Sequence, residues 1–282
     1  MDKSDNSLVG IENKRRINLP EYILGITLMF IVISIILSYL IDLRNVFGSR
    51  DVLFSLSNSH FYFRHRPFVF FHWYRNGGLA EILQWLFLGG SALMSAFIAA
   101  KLQNLDRKAY MFWLIMAVLF VLMLIEDSGD PRHTIRSYVQ ALFLESGQGV
   151  MGSITELLYF FILSLLPIYA ILRYGNILVK VPRSLIYFGM GFIIYGVATS
   201  LSFIGSAFDF YNNFGSKLRE RLIEWGDESL AHIWQTYDAE VGFDFINFFL
   251  MDTVIEESLE LIGAATLFGS VLYYLYYVNS LE

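Results

Sequence analysis

Three carboxylates recur at intervals of four residues near the C-terminal end of the chain: Asp252, Glu256 and Glu260. In an α-helix this interval places all three side chains on one face, and Glu257 would point about 100° away. Like charges at this spacing repel, so a bound cation, protons or neighbouring arginines must offset them. The pattern predicts a cation- or proton-linked site, and together with His133 these three carboxylates form the predicted ligands of a divalent cation.

A second dense group of ionisable side chains extends from Glu126 to Arg136, where an apolar segment ends. Gly129 and Pro131 are predicted to end the helix there and to turn the chain. The following residues, Ile135 to Leu144, have apolar side chains at helical spacing. They predict a short amphipathic helix that lies along the membrane surface and holds the turn over the helix ends.

Within this group, acids and bases stand at spacings that could carry out proton transfer. Asp130 and His133 are three residues apart, which suits a general acid and base. Arg132 and Arg136 could hold an anionic headgroup through paired hydrogen bonds. In the alternative interpretation, Arg132 only neutralises Glu126 and the group ties a loop to a helix end.

Four glutamates are predicted to lie at a similar depth. Counting 1.5 Å per residue from the basic or tyrosine-rich end of each apolar segment places them about 24–30 Å away: Glu81, Glu126, Glu156 and Glu260. Gln84 shares a helix face with Glu81 because the two are three residues apart. A charge inside hydrocarbon is costly and normally faces the bundle interior or a wet cavity. The depths therefore predict one shared site, provided that the helices are neighbours.

The elements that position these residues follow from composition. Of the 282 residues, 56% are hydrophobic and 16% are charged, whereas soluble domains are about 25% charged. This excess predicts an all-α, polytopic membrane bundle in contact with the lipid bilayer. Six apolar runs are long enough to cross it: Tyr22–Ile41, Leu79–Ala100, Ala109–Ile125, Ile154–Leu172, Leu185–Phe208 and a segment within Phe243–Val278.

The rest of the chain is assigned to tails and interfacial segments. Residues 1–21 are predicted to form an N-terminal tail, 22–278 the six-helix membrane domain, and 279–282 a C-terminal tail. Lysines and arginines are denser in the short segments on the side of the termini, so both termini are predicted to be cytoplasmic. Ser216 to Tyr237 predicts one or two short amphipathic helices on the outer surface, broken near Gly226.

Composition also excludes several classes of function. The chain has no cysteine, which excludes disulfides, thiolate catalysis and cysteine-held metals. The net charge of −6 gives nucleic acid no electrostatic basis for binding. Three glycines in the fifth apolar run, Gly189, Gly191 and Gly196, are predicted to be positions of close helix packing. Thr199 and Ser200 could line a cavity or bond to the carbonyls of their own helix.

These observations support three hypotheses from different classes. The first is an intramembrane enzyme acting on a lipid-like or amphipathic substrate by acid–base or metal-assisted chemistry. Its predicted catalytic residues are Glu81, Glu126, Asp130, His133, Glu156, Glu256 and Glu260, and its predicted substrate-binding residues are Gln84, Arg132 and Arg136. The second is a cation- or proton-coupled transporter, and the third is a non-catalytic subunit with a structural network of glutamates and arginines. A carboxylate pocket closed toward the cytoplasm favours the enzyme, a through-path favours transport, and saturation by arginines favours the subunit.

Overall fold

The computed structural model describes residues 18–59, 68–74, 77–142, 148–208, 210–241 and 245–281. Within these ranges the chain forms helices and no strands, so the predicted all-α fold is confirmed. Lys14, Arg15 and Arg16 of the predicted tail lie outside the described residues.

Twelve α-helices follow one another along the described residues: α1 (Leu19–Ser38), α2 (Ser49–Ser59), α3 (Val69–Tyr74), α4 (Leu79–Leu102), α5 (Arg107–Gly129), α6 (Pro131–Leu142), α7 (Gln148–Tyr174), α8 (Pro182–Phe208), α9 (Phe210–Trp225), α10 (Leu230–Val241), α11 (Phe245–Phe249) and α12 (Glu257–Asn279). Two π-helical segments lengthen this series: Tyr39–Leu43 continues α1, and Leu250–Glu256 joins α11 to α12.

Six helical stretches in the described part of the chain are long and apolar enough to cross a membrane: Leu19–Leu43, Val69–Leu102, Arg107–Gly129, Ile154–Lys180, Pro182–Leu201 and Phe245–Asn279. Each contains, or largely overlaps, one of the six apolar runs identified from the sequence. The chain is therefore a helical bundle with the candidate spans of a multi-pass membrane protein.

The bundle is built around α12, which packs against α8, α4 and α1, while α5 packs against α4 and α7. Gly191 of α8 allows one close approach, because a Cβ there would lie 2.6 Å from Cγ of Leu267 on α12. A Cβ on Gly189 or Gly196 would meet nothing within 4 Å. The predicted packing role is therefore confirmed for Gly191 and wrong for the other two, which face open space.

The turn after α5 forms as the sequence predicts. Asp130 adopts a left-handed conformation with φ of 48° directly after Gly129, and its N–H bonds to the carbonyl of Glu126 at 3.0 Å. Pro131 then begins α6, since its fixed φ and missing N–H fit the first turn of a helix. The helix therefore starts four residues before the predicted Ile135.

A second apolar cluster lies beside the bundle at the end where α4 begins and α5 ends, which we call the acidic end. It is formed mainly by aromatic side chains of α3, α10 and α11: Phe68, Phe70, Phe71, Trp234, Tyr237 and Phe249, with Leu43, Leu230, Ile246 and Leu250. Asp42, fully buried, accepts hydrogen bonds from the backbone N–H groups of Val69 and Phe70 at 2.8 and 3.0 Å. This carboxylate ties the first span to the start of α3. The predicted break near Gly226 is also present, since α9 ends at Trp225.

Candidate functional site

A cavity of about 120 Å³ lies at the acidic end of the bundle, and we call it the acid cavity. Eight of its twelve lining residues are acidic. They come from α4, the end of α5 and the α11–α12 segment: Glu81, Glu126, Asp127, Asp130, Asp252, Glu256, Glu257 and Glu260. The other lining residues are Arg132, Phe160, Tyr195 and Thr199. The helices that carry the predicted carboxylates of α4, α5 and α12 are therefore neighbours.

The segment Leu250–Glu256, which carries Asp252 and Glu256, is π-helical and leads directly into α12. Its i→i+5 hydrogen bonds widen the turn beyond the 3.6 residues of an α-helix, so the positions that share a face shift. Asp252, Glu256 and Glu260 line the cavity, and Glu257 lines it as well. The expectation that Glu257 lies apart from the other acidic residues is wrong, since Glu257 and Glu260 are three residues apart in α12 and share a helix face.

Gln84 joins two carboxylates of the acid cavity. Its side-chain nitrogen donates to Oδ1 of Asp127 at 2.7 Å, to Oε2 of Glu260 at 3.0 Å and to the hydroxyl of Tyr195 at 3.3 Å. The residue is fully buried, and its Oε1 has no hydrogen-bond partner among the described residues. Since an unpaired buried acceptor costs about 1–3 kcal/mol, a proton donor is expected to approach this oxygen.

Arg132 is the basic residue among the described side chains that line the acid cavity. Its Nε lies 3.5 Å from Oε1 of Glu126, and its guanidinium stacks 4.9 Å above the ring centre of Phe160. Burial disfavours the charged guanidinium, but the carboxylates of Glu126 and Glu256 outweigh it and raise the pKa of Arg132 above its usual value. Arg132 therefore keeps its positive charge and offsets part of the surrounding negative charge.

Tyr211 reaches the same carboxylates from α9. It is 3% exposed, and its hydroxyl donates a hydrogen bond to Oε2 of Glu256. Burial, followed by the nearby Glu256 carboxylate, raises the pKa of Tyr211 above its usual value. The hydroxyl therefore stays protonated and remains a donor. The ring packs against Gly205 of α8, where a Cβ would lie 2.5 Å from a ring carbon.

A larger apolar cavity of about 420 Å³ adjoins the acid cavity, and we call it the slot. It lies between α5, α7 and α8, with walls formed by Leu119, Met123, Leu157, Phe161, Leu163, Ser164, Pro167, Phe192 and Gly196. Glu126, Phe160, Tyr195 and Thr199 line both cavities. An apolar space thus meets a charged one at four shared side chains.

No family model, no curated protein and no solved structure matches this chain. The chemistry of the acid cavity and the slot is therefore the basis for assigning a function.

The structure separates some of the predicted site residues from the acid cavity. Glu156, 3% exposed, accepts a hydrogen bond from Arg136 at 2.8 Å, and neither residue lines the cavity. The side chain of His133 lies outside the described residues, so its predicted role in acid–base chemistry stays a prediction.

The predicted metal site also stays a prediction. Among the described residues, no three His, Asp or Glu side chains are arranged so that they could hold a metal ion. The carboxylates of Asp252, Glu256 and Glu260 as placed do not form such a group, and His133 is the predicted fourth ligand. We therefore assign no step to a metal ion.

Four polar residues of the site were not among those predicted from the sequence: Asp127, Tyr195, Tyr211 and Glu257. Asp127 and Glu257 each follow a predicted glutamate directly, and this adjacency was the available signal. Tyr195 and Tyr211 carry no such signal, since nothing in a single sequence indicates which face of α8 or α9 meets a carboxylate. Thr199 and Ser200 were each expected either to line a cavity or to bond to a carbonyl of their own helix. Thr199 lines both cavities, whereas Ser200 donates to the carbonyl of Gly196 at 2.7 Å.

Proposed function

We propose that this protein is an integral membrane enzyme that transfers protons on an amphipathic, lipid-like substrate, with the acid cavity as its catalytic site. The observation that carries the proposal is the excess of acidic residues at this cavity: its described lining has eight of them and one cationic side chain, that of Arg132. A purely structural network would pair each buried carboxylate with a cation, because removing one partner of a buried pair is strongly destabilising. Excess carboxylates held at close range instead favour exchange of protons among them.

The side chains packed between the acid cavity and the opposite end of the bundle support a site that is open at the acidic end only. Following α4, α5 and α12 away from the acidic end, the buried side chains are mainly large and apolar: Leu88, Ile98, Trp113, Met116, Phe120, Leu267 and Tyr274. Transport would need polar groups or water along the full length of a path. Chemistry at a pocket closed toward the other end needs no such path.

The contacts suggest different roles for the carboxylates. Asp127 and Glu260 are held in place by Gln84, so their positions are fixed relative to each other. Oε2 of Glu257 is buried and has no hydrogen-bond partner among the described residues, which leaves it able to accept a proton from a substrate group. Glu260 is the neighbouring carboxyl that can return a proton, and Arg132 balances charge during the exchange.

Substitution of the two proposed proton carriers tests this function. The protein, reconstituted in nanodiscs with a total lipid extract of its host membrane, is incubated, and the lipids are compared by liquid chromatography, which separates isomers, coupled to mass spectrometry. We expect wild type to convert at least one lipid species, and Glu257→Gln and Glu260→Gln to lower the rate at least about 100-fold, as expected for loss of a general acid or base. Glu220→Gln, which removes an exposed carboxylate of α9, serves as the control and should keep the wild-type rate.

Two outcomes would overturn the proposal. Wild type could leave every lipid of the extract unchanged, or Glu257→Gln and Glu260→Gln could both convert lipid as fast as Glu220→Gln. Circular dichroism and gel filtration of each variant establish that the variants are folded, so a loss of rate reports on chemistry.

A further inference from the structure

The slot has the shape of a chain-binding site. Its volume of about 420 Å³ lies within the range of pockets that bind small ligands. On α8 its lining residues extend from Phe192 to Thr199, a distance of about 10 Å along the helix axis. On α5 they extend from Leu119 to Glu126, again about 10 Å. Each wall therefore presents one continuous helix face, apolar along most of its length and ending in a polar side chain at the acid cavity.

The slot also opens sideways out of the bundle. Leu157 and Phe161 of α7 line it and are 52% and 59% exposed. On the facing side, Gly196 has no side chain and open space where a Cβ would lie. All three walls belong to candidate membrane spans. A molecule dissolved in the hydrocarbon of a membrane can therefore reach the slot without passing through water.

The acidic residues of the acid cavity determine which headgroup can bind there when a hydrocarbon chain occupies the slot. A headgroup at Glu126 and Tyr195, where the two cavities meet, faces an excess of carboxylates. Arg132 is engaged by Glu126 and Phe160, which leaves little positive charge for an anion. These carboxylates attract a cationic amine and repel an anionic headgroup.

We propose that the slot binds the hydrocarbon chain of a cationic, amine-bearing amphiphile, which enters from the membrane between α7 and α8 and places its amine in the acid cavity. This inference rests on the proposed function, because it names the substrate class of the same catalytic site. Glu126, Phe160, Tyr195 and Thr199 then mark the junction between chain and headgroup.

Two glycines of α8 provide a matched pair of variants. Both Gly196 and Gly189 have open space at the Cβ position, but only Gly196 lines the slot among the described residues. Gly196→Phe should fill the slot without a backbone collision, and Gly189→Phe should add the same bulk to the same helix elsewhere. The measurement is equilibrium binding of dodecylamine to the protein in nanodiscs, with ethylamine and dodecanoic acid as probes that lack the chain or the positive charge.

We expect wild type and Gly189→Phe to bind dodecylamine with equal affinity and Gly196→Phe to bind it at least about tenfold more weakly. Ethylamine and dodecanoic acid should both bind wild type at least about tenfold more weakly than dodecylamine. Equal binding of dodecylamine by Gly196→Phe and Gly189→Phe would overturn the chain site. Binding of dodecanoic acid as tight as that of dodecylamine would overturn the cationic headgroup.

These results are separable from the test of the catalytic role. If Glu257→Gln abolishes lipid conversion while Gly196→Phe binds dodecylamine like wild type, the catalytic proposal stands and the chain site is wrong. If Gly196→Phe loses dodecylamine binding while wild type converts no lipid, the chain site stands and the catalytic role is wrong.

Discussion

The guanidinium of Arg50 donates hydrogen bonds to both carboxylate oxygens of Asp227, at 2.9 and 2.7 Å. The arginine side chain is fully buried, and the aspartate is 30% exposed. The pair joins the first turn of α2 to the loop between α9 and α10, so it fixes α9 relative to the end of α1. Helix α9 also carries Tyr211, whose hydroxyl donates to Glu256 in the acid cavity. The Arg50–Asp227 pair therefore helps to hold a residue that contacts this cavity.

Asp227→Asn should leave a buried guanidinium without its counter-ion and lower the free energy of unfolding by about 3 kcal/mol. Thermal unfolding of the purified protein measures this as a lower midpoint. Glu224→Gln is the control, because it breaks an exposed pair with Arg221 and should change stability by less than about 1 kcal/mol. Equal losses of stability in the two variants would show that the buried Arg50–Asp227 pair contributes no more to stability than the exposed Arg221–Glu224 pair.

The same pair predicts a pH dependence. Burial opposes ionisation of Asp227, but hydrogen bonds from Arg50 and Ser229 outweigh it and lower the pKa of this carboxyl below its usual value. A carboxyl with a lowered pKa stabilises the fold only while ionised, so its contribution is complete above about pH 4 and is lost as the pH falls through the lowered pKa. The stability difference between wild type and Asp227→Asn should stay constant from pH 8 to pH 5 and narrow below about pH 4. A difference that widens in acid would contradict this assignment.

Tyr211→Phe should remove the hydrogen bond to Glu256 and keep the ring against Gly205. Loss of a bond to a carboxylate is expected to cost about 1.5–3 kcal/mol, again seen in thermal unfolding. Tyr276→Phe, at an exposed position of α12, should have little effect. If both variants unfold like wild type, the hydroxyl of Tyr211 does not hold Glu256 in place.

Gly191→Ala and Gly189→Ala should change stability in opposite directions. The added Cβ at Gly191 would lie 2.6 Å from Leu267 and force α8 and α12 apart, whereas at Gly189 it meets nothing within 4 Å. In open space, alanine should stabilise the helix by up to about 1 kcal/mol. We expect the midpoint of thermal unfolding to fall for Gly191→Ala and to rise slightly for Gly189→Ala, and a change of the same sign in both would refute the close contact.

The orientation in the membrane can be measured with single cysteines, because the chain has none of its own. Ser229 and Ser280 are exposed and lie in the α9–α10 loop and after α12. With both termini cytoplasmic, Ser229→Cys should react with an impermeant maleimide on intact cells, and Ser280→Cys should react only after lysis. The reverse pattern would place the acid cavity at the cytoplasmic side.

The spans could be predicted from the sequence because crossing a membrane requires about 20 apolar residues, and this requirement is local along the chain. Because the rise of a helix is constant, the sequence also predicted similar levels for Glu81, Glu126 and Glu260, and all three line the acid cavity. That these three line one cavity depends on which helices are neighbours, and a single sequence does not encode that visibly.

The errors have specific physical causes. Glu257 was assigned to the wrong face because only the four-residue interval of Asp252, Glu256 and Glu260 was considered, whereas Glu257 also shares a face with Glu260 three residues later. Gly189 and Gly196 were assigned to packing because small residues often serve it in membranes, yet only the facing helix decides whether a glycine meets a neighbour. Glu156 accepts a hydrogen bond from Arg136 and does not line the cavity, and its predicted catalytic role stays a prediction.

The position of α12 has a consequence for how this protein is made. It is the most buried of the six described candidate spans and the last of them along the chain. A ribosome therefore delivers α1, α4 and α8 to the membrane before the helix against which they pack exists. During that interval Glu81 of α4 lacks the packing that α12 later provides. Assembly of the bundle is thus delayed until α12 has been synthesised.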